Sequence, residues 1–278
     1  MNKSVFMLKY GMIFSVVLLF SVNSFSQTKV CTFNIKYENP KEGVHQWDNR
    51  KEQILKLIKI EDVDIIGMQE VVHSQIRFLE AGLAEYARIG VARDDGKSKG
   101  EYSPIFYKKD RYTIIDSATF WLSPNPQIPA KAWDAALPRV CTWAKLIDQD
   151  TKDLILVLNT HFDHVGSEAR AKSVDLILSK INELEHNGKV ILMGDFNLEP
   201  QSKPIQKIID SELNDAFEAE LNLGPIGTYN AFKIGENYER RIDYVFYQGF
   251  KIKSYKNYSL RIQDTFLSDH FPVVVEFE

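Results

Sequence analysis

Cysteine is scarce: Cys31 and Cys141 are the only two in 278 residues. Two cysteines so far apart exclude a zinc-type cysteine spacing and a disulfide-built scaffold. Both lie in strand-like runs, KVCTFNI and RVCTWAKLI, so they read as buried free thiols; an exported protein could join them, but the sequence does not place them within bonding distance. Basic charge is not in excess, with 34 Lys and Arg against 38 Asp and Glu and a formal net charge of −4. A net-acidic chain is a poor match for sequence-independent grip on long duplex DNA, which neutralises phosphates with Lys and Arg, although a local basic cleft stays open. There is no P-loop, no GxGxxG and no serine nucleophile elbow. Repeats, low-complexity segments and Pro/Gly/Ser-rich linkers are lacking too.

Long apolar runs are almost absent. The one exception spans residues 12–22, about 11 residues, against the ~20 that a membrane-spanning helix needs. Lys3 and Lys9 precede it and NSFSQ follows, with Ser24 and Ser26 at the −3 and −1 positions of a signal-peptidase site. Residues 1–26 therefore read as a signal peptide cleaved after Ser26. That predicts an exported protein, periplasmic or extracellular, without a stable membrane span after processing. No cysteine directly follows the run, which argues against a lipoprotein. Cleavage removes two lysines and no acids, taking the formal charge from −4 to −6.

What remains, 27–278, is rich enough in apolar residues for one large domain. The patterning predicts a strand over 29–36, a helix over 47–60, a strand over 63–69 and a helix over 74–84. Strands follow near 87–92, 103–108, 112–122 and 140–148, then LILVLNTHF. A helix is expected over 167–187, where Val174, Ile177, Ile181 and Leu184 recur at helical spacing, Ser167 can cap the start and Gly188 follows the end. The apolar run VILM opens a strand buried on both faces, because four apolar residues follow without alternation. A short helix over 203–210 and strands near 241–247, 251–260 and 271–277 complete the chain. Many strands with few helices suggest two packed sheets with helices outside. The stretch WLSPNPQIPAKAWD is a long irregular loop, a kind that is often functional.

Six segments end or begin an apolar strand with a polar group. They are VCTFNIKY with Asn34, VDIIGMQEV with Glu70, LILVLNTHFDH with His161 and Asp163, VILMGDFN with Asp195 and Asn197, RRIDYVFY with Asp243, and FLSDHFPVVVEF with Asp269 and His270. Each alone has a plain structural explanation, but burying charge among apolar neighbours is costly without a partner or a metal. Together they suit hydrolysis of a phosphate ester. Asn34, Glu70 and Asp269 are hard oxygen donors that favour Mg²⁺ or Mn²⁺. Asp195 can orient or deprotonate the attacking water, Asn197 and His161 can donate to the phosphate, and His270 beside Asp243 can serve as a charged ligand or proton donor.

TFNIKY, DIIGMQE, LNTHFDH, GDFN, RIDYVF and SDHFPV, in this order over residues 28–278, resemble the endonuclease/exonuclease/phosphatase superfamily, the deoxyribonuclease-I-like group. The resemblance implies an α/β fold, a four-layer α/β/β/α sandwich of two mostly antiparallel sheets, with the active site at one rim. It implies Asn34, Glu70 and Asp269 at the metal site, His161 at the phosphate, Asp195 with Asn197 orienting water and phosphate, and Asp243 with His270 as an acid–histidine pair. Further substrate candidates are Arg93 and Tyr102, in a polar loop that can equally be a solvated hairpin, and Arg139, for which a surface ion pair is the alternative. Trp47 and Arg50 read as packing at a helix start. The expectation is an exported, metal-dependent phosphodiesterase of nuclease-like chemistry, acting as a monomer on nucleic acid, a nucleotide or another phosphodiester. The alternatives are a phosphomonoesterase on sugar or inositol phosphates and an idle phosphate-binding protein.

Overall fold

The computed structural model describes residues 27–184 and 188–278. The expected leader, 1–26, and residues 185–187, the last of the helix expected over 167–187, lie outside the described residues. The strands run β1 Thr28–Asn34, β2 Ile65–Gln69, β3 Tyr86–Ile89, β4 Ile105–Lys108 and β5 Tyr112–Trp121. Next come β6 Val140–Asp148, β7 Leu154–His161, β8 Val190–Asp195, β9 Asn214–Asp215 and β10 Asn222–Leu223. The chain closes with β11 Asp243–Gln248, β12 Ile252–Asn257, β13 Arg261–Ile262, β14 Thr265–Phe266 and β15 Val273–Phe277. The helices are α1 Trp47–Glu61, α2 His73–Gly82, α3 Ser167–Glu183 and α4 Lys203–Ile209.

Two large sheets result, with strand orders β10-β12-β15-β1-β2-β4-β3 and β5-β6-β7-β8-β11-β9. Most neighbours are antiparallel; β1/β2, β10/β12 and β7/β8 are parallel. Alternation along the strands sorts the apolar residues into three cores. Val30, Ile65, Ile191, Met193 and Val275 pack between the sheets. Phe33, Ile66 and Met68 face Ile54, Ile58 and Leu79 of α1 and α2. Leu158, Leu192 and Phe246 face Val174 and Ile177 of α3 and Ile205 of α4. The protein is thus an α/β/β/α sandwich. Cys31 belongs to one outer core and Cys141 to the other, and both are free and buried.

Two local details differ from the sequence expectation. Ser167 is the first residue of α3 and does not cap it. Asp134 of the Pro-rich loop accepts from the Glu168 and Ala169 amides at 3.1 and 2.7 Å instead. A carboxylate is a stronger acceptor than a hydroxyl and suits the positive end of a helix. Leu184 is already extended, so the described helix ends at Glu183.

The register positions the site. Asp195 at the end of β8 stands opposite His161 of β7 on one side and Asp243 of β11 on the other. Such close approach requires Gly194, whose φ is +149°; a Cβ there would meet the Thr160 carbonyl at 2.1 Å. Below the rim Asn159 joins the sheets. It donates to the Met68 and Pro104 carbonyls, both at 2.8 Å, and accepts from Gln69 Nε2 at 2.7 Å. These bonds satisfy its buried amide and hold the two rims at a fixed spacing.

Candidate active site

A concave site of about 580 Å³ opens at this rim, and Lys36, Glu70, Arg139, His161, Asp195 and His270 are among its walls. Asp195 is almost fully buried. Its Oδ1 accepts from the Asn197 amide at 2.9 Å and its Oδ2 from Asn34 Nδ2 at 3.0 Å. The same Oδ2 lies 3.4 Å from His161 Nε2 and 3.7 Å from His270 Nε2. Burial, reinforced by the Asp243 charge, pushes its pKa up to about 7. Asn197 turns back under it with a left-handed φ of 48°, while Phe196 packs edge-on against Phe162, their ring centres 4.8 Å apart.

His270 donates through Nδ1 to Asp243 Oδ2 at 2.8 Å. Burial works against its charge, but Asp243 and Asp195 outweigh it and hold the pKa at about 10. Asp243 Oδ2 also accepts from the Thr228 hydroxyl at 2.5 Å, and the Thr228 oxygen in turn accepts from the Ile242 and Asp243 amides. His270 is therefore an imidazolium with a fixed ring plane and Nε2 turned toward Asp195.

On the other side Glu70 and Asp269 converge on one cation, the Lys36 ammonium, 3.9 Å from Glu70 Oε2 and 3.1 Å from Asp269 Oδ2. Asn34 lies beneath them. Its Nδ2 donates to Glu70 Oε1 at 3.0 Å, and its Oδ1 is taken by the Lys36 amide at 3.1 Å. Asn34 thus presents its nitrogen, not its oxygen, to the carboxylates, and its place is to orient Glu70 and Asp195. Asp195, Asp243 and His270 also lie within 4.8 Å of one another. That trio is a poor metal cage, because His270 Nδ1 is committed to Asp243 and an imidazolium has no free lone pair. The hard pair Glu70 and Asp269 suits an oxygen-seeking divalent ion better.

His161 is neutral: burial first, then the Arg139 and Arg93 charges, hold its pKa well below the usual histidine range. Asn197 Nδ2 donates to the Phe162 carbonyl at 3.1 Å, which fixes its amide orientation, and contacts His161 Nε2 at 3.1 Å. The imidazole proton then belongs on Nδ1, toward Glu101 Oε2 at 3.9 Å. Arg139 is buried rather than a surface residue. Nε faces Asp163 at 3.4 Å and Nη2 faces His164 Nδ1 at 3.0 Å, while Nη1 is buried and has no hydrogen-bond partner among the described residues.

The structure thus brings together Glu70, Arg139, His161, Asp195, Asn197, Asp269 and His270, with Asn34 and Asp243 directly behind. It leaves out Arg93 and Tyr102. Arg93 is a strut behind the wall, forked onto Glu101 at 2.6 and 3.0 Å. Tyr102 packs in the core under α1 and α2 and donates to the Lys97 carbonyl. The 93–102 segment closes as a hairpin, with the Arg93 amide donating to the Glu101 carbonyl and the Asp94 amide to the Lys99 carbonyl. Its tip at 97–99 is exposed, and Arg93 and Tyr102 tie its base to the body. Sequence reasoning missed Glu101, Lys36, Thr228, Tyr229 and Arg240. Glu101 lines the cavity, and burial pushes its pKa up, with Arg93 opposing and Glu70 adding to the rise. Arg240 covers the Tyr229 ring at 5.0 Å at the cavity mouth. The motif RRIDYVF carried the only signal for Arg240, and its two arginines could not be told apart: Arg241 is buried against Asp215.

A two-sheet sandwich with a buried acid–histidine–acid row and a paired carboxylate site at its rim defines a phosphoester hydrolase. The Endonuclease/Exonuclease/phosphatase family profile matches residues 31–270, and the chain belongs to that family. It is similar to the endonuclease/exonuclease/phosphatase of Bacteroides vulgatus, with 40% identity, 91% of this chain and 99% of that one covered, and a TM-score of 0.87. It is similar to a mannosyl-6-phosphatase of Bacteroides thetaiotaomicron, with 35% identity, 90% and 99% coverage, and a TM-score of 0.85. A probable RNA exonuclease of Saccharomyces cerevisiae is 26% identical over 174 residues, 57% of this chain and 34% of that protein.

Proposed function

We propose that the protein is an exported, divalent-metal-dependent phosphoester hydrolase that drives water onto phosphorus and acts as a monomer. The observation that carries this reading is the position of Asp195, buried between His161 and His270 with a pKa of about 7. A base poised near the working pH combines availability with driving force. Asp195 takes the proton of the attacking water, the ester P–O bond breaks, and the His270 imidazolium delivers its Nε2 proton to the leaving oxygen. Asp243 and Thr228 keep that imidazolium charged and aimed. Glu70 and Asp269 would hold a Mg²⁺ or Mn²⁺ ion, with Asn34 orienting Glu70; such an ion supplies charge neutralisation on the phosphoryl oxygens.

The Arg139 cation in the cavity wall favours a terminal phosphate over the diester expected from sequence. A monoester has three terminal oxygens and a second negative charge, and Arg139, whose side chain lines the cavity, places one more cation beside it. The similarity to a mannosyl-6-phosphatase supports a sugar phosphate as substrate. The test is phosphate release from p-nitrophenyl phosphate and mannose 6-phosphate, against cleavage of bis(p-nitrophenyl) phosphate, on protein starting at Gln27. Each is run with Mg²⁺, Mn²⁺ and EDTA. Turnover of the monoesters, lost in EDTA, is expected; turnover of the diester alone would return the site to the nuclease-like reading. Mass spectrometry of the exported protein should find Gln27 as the first residue.

A further inference from the structure

We propose that Lys36 is a tethered counter-cation of the metal site: its ammonium holds Glu70 and Asp269 together when no metal is bound, and a divalent ion must displace it to load. This rests on the assignment of Glu70 and Asp269 as the metal carboxylates. Lys36 faces both through one nitrogen, at 3.9 and 3.1 Å, and all three side chains are largely withdrawn from water. An ammonium in that position occupies the charge environment that a divalent ion would need.

The backbone shows that the placement is built. Lys36 has a left-handed φ of 59°, unfavourable for a residue with a Cβ. Strain of this kind persists only where the surroundings over-determine it. Here the Lys36 amide donates to Asn34 Oδ1 at 3.1 Å and its carbonyl accepts from the buried Gln75 Nε2 at 2.9 Å. The turn thus spends the Asn34 oxygen on holding Lys36 and directs its side chain across the carboxylates. The Tyr37 ring, 4.9 Å from the ammonium and half open to the cavity, gives the displaced cation a face to rest on.

A bound competitor lowers apparent metal affinity, and without it two like charges would face each other unneutralised. Isothermal titration with Mn²⁺ on the full mature chain tests this, with melting curves in EDTA and in Mn²⁺. Lys36→Met and Lys36→Gln should bind Mn²⁺ roughly fivefold more tightly than wild type, the scale of one partly exposed ion pair. Both should melt lower in EDTA and gain more from Mn²⁺ than wild type does. Lys36→Arg, which keeps the charge, should bind no more tightly than wild type. Unchanged or weaker Mn²⁺ binding in both neutral variants would overturn the counter-cation role while leaving the metal site in place. Absence of Mn²⁺ binding by wild type would overturn the metal site and this role with it.

Discussion

The Thr228 hydroxyl and the Asp243 carboxylate are 2.5 Å apart, and the oxygen that Thr228 donates to is the one that receives His270 Nδ1. Thr228 is not among the cavity walls; its amide donates to the Arg240 carbonyl and its carbonyl accepts from the Phe271 amide. Its single oxygen donates to Asp243 and accepts two amides, so it sets the angle at which Asp243 meets the imidazole. Thr228→Val keeps the shape and removes all three bonds. It should cost about 1–3 kcal/mol of stability, the penalty of leaving buried groups unpaired. Turnover should fall roughly tenfold or more, as expected when a catalytic group is mispositioned. Thr228→Ser should recover most of the turnover. A valine variant with wild-type turnover would show that Asp243 needs no such support.

Asp243 determines where on the pH scale His270 works. Burial alone would lower the histidine pKa; Asp243, then Asp195, reverse that and lift it to about 10. The folded value exceeds the ordinary one near 6.5, so the charged histidine stabilises the fold fully below pH 6.5 and the contribution is lost as pH rises through 10. Asp243→Asn removes the main lifting charge. The alkaline limb of kcat/KM should then move toward neutral pH by more than about one unit, with turnover lower by about two to four orders of magnitude. Wild-type stability should decline between pH 6.5 and 10 more steeply than that of the variant. An alkaline limb that stays in place would mean that another group ends activity there.

Arg139 tests the choice between a terminal phosphate and a diester. Asp163, its neighbour, also accepts the amides of Ala136, Leu137, Val165 and Gly166, which hold its carboxyl far below the usual range. The loop therefore keeps its anchor in Arg139→Met. KM for a monoester should rise roughly tenfold to a hundredfold, the size of one charge-assisted hydrogen bond. KM for a diester should change far less. Equal losses on both substrates would show that Arg139 serves the site as a whole and not a third terminal oxygen.

The strand-end residues were legible because the strand signal is local. Four apolar residues, a glycine and an Asp-x-Asn are enough to place Asp195 and Asn197 on one side and Phe196 on the other, and Phe196 is buried. Side chains whose role depends on a distant partner were not legible. Arg93 and Arg139 are both arginines in loops before strands, yet Arg93 is forked onto Glu101 behind the wall while Arg139, beside Asp163, lines the cavity. Asn34 was expected as a metal ligand from its residue type, but its amide orientation depends on Lys36, Glu70 and Asp195 together. The Asp134 cap on α3 is invisible for the same reason, since it comes from a loop 34 residues earlier than the amide it caps.

Gly194 carries the last prediction, because it joins fold and chemistry at one atom. β7 and β8 run parallel, and Gly194 lies opposite Thr160, whose carbonyl would be 2.1 Å from any added Cβ. Relief by moving β7 is blocked, since Thr160 is fully buried, pairs with Cys141 of β6 and donates through its hydroxyl to the Val140 carbonyl. Relief by moving β8 would carry Asp195 away from His161 and Asp243 together. Gly194→Ala also imposes a side chain on a φ of +149°, which L-residues rarely adopt. The substitution should therefore destabilise by more than about 4 kcal/mol, in the range reserved for backbone strain and core clashes. Urea unfolding monitored by tryptophan fluorescence measures it. A variant that unfolds at the wild-type midpoint and keeps wild-type turnover would show that the strands can separate without disturbing Asp195, and the rigid-rim account would fail.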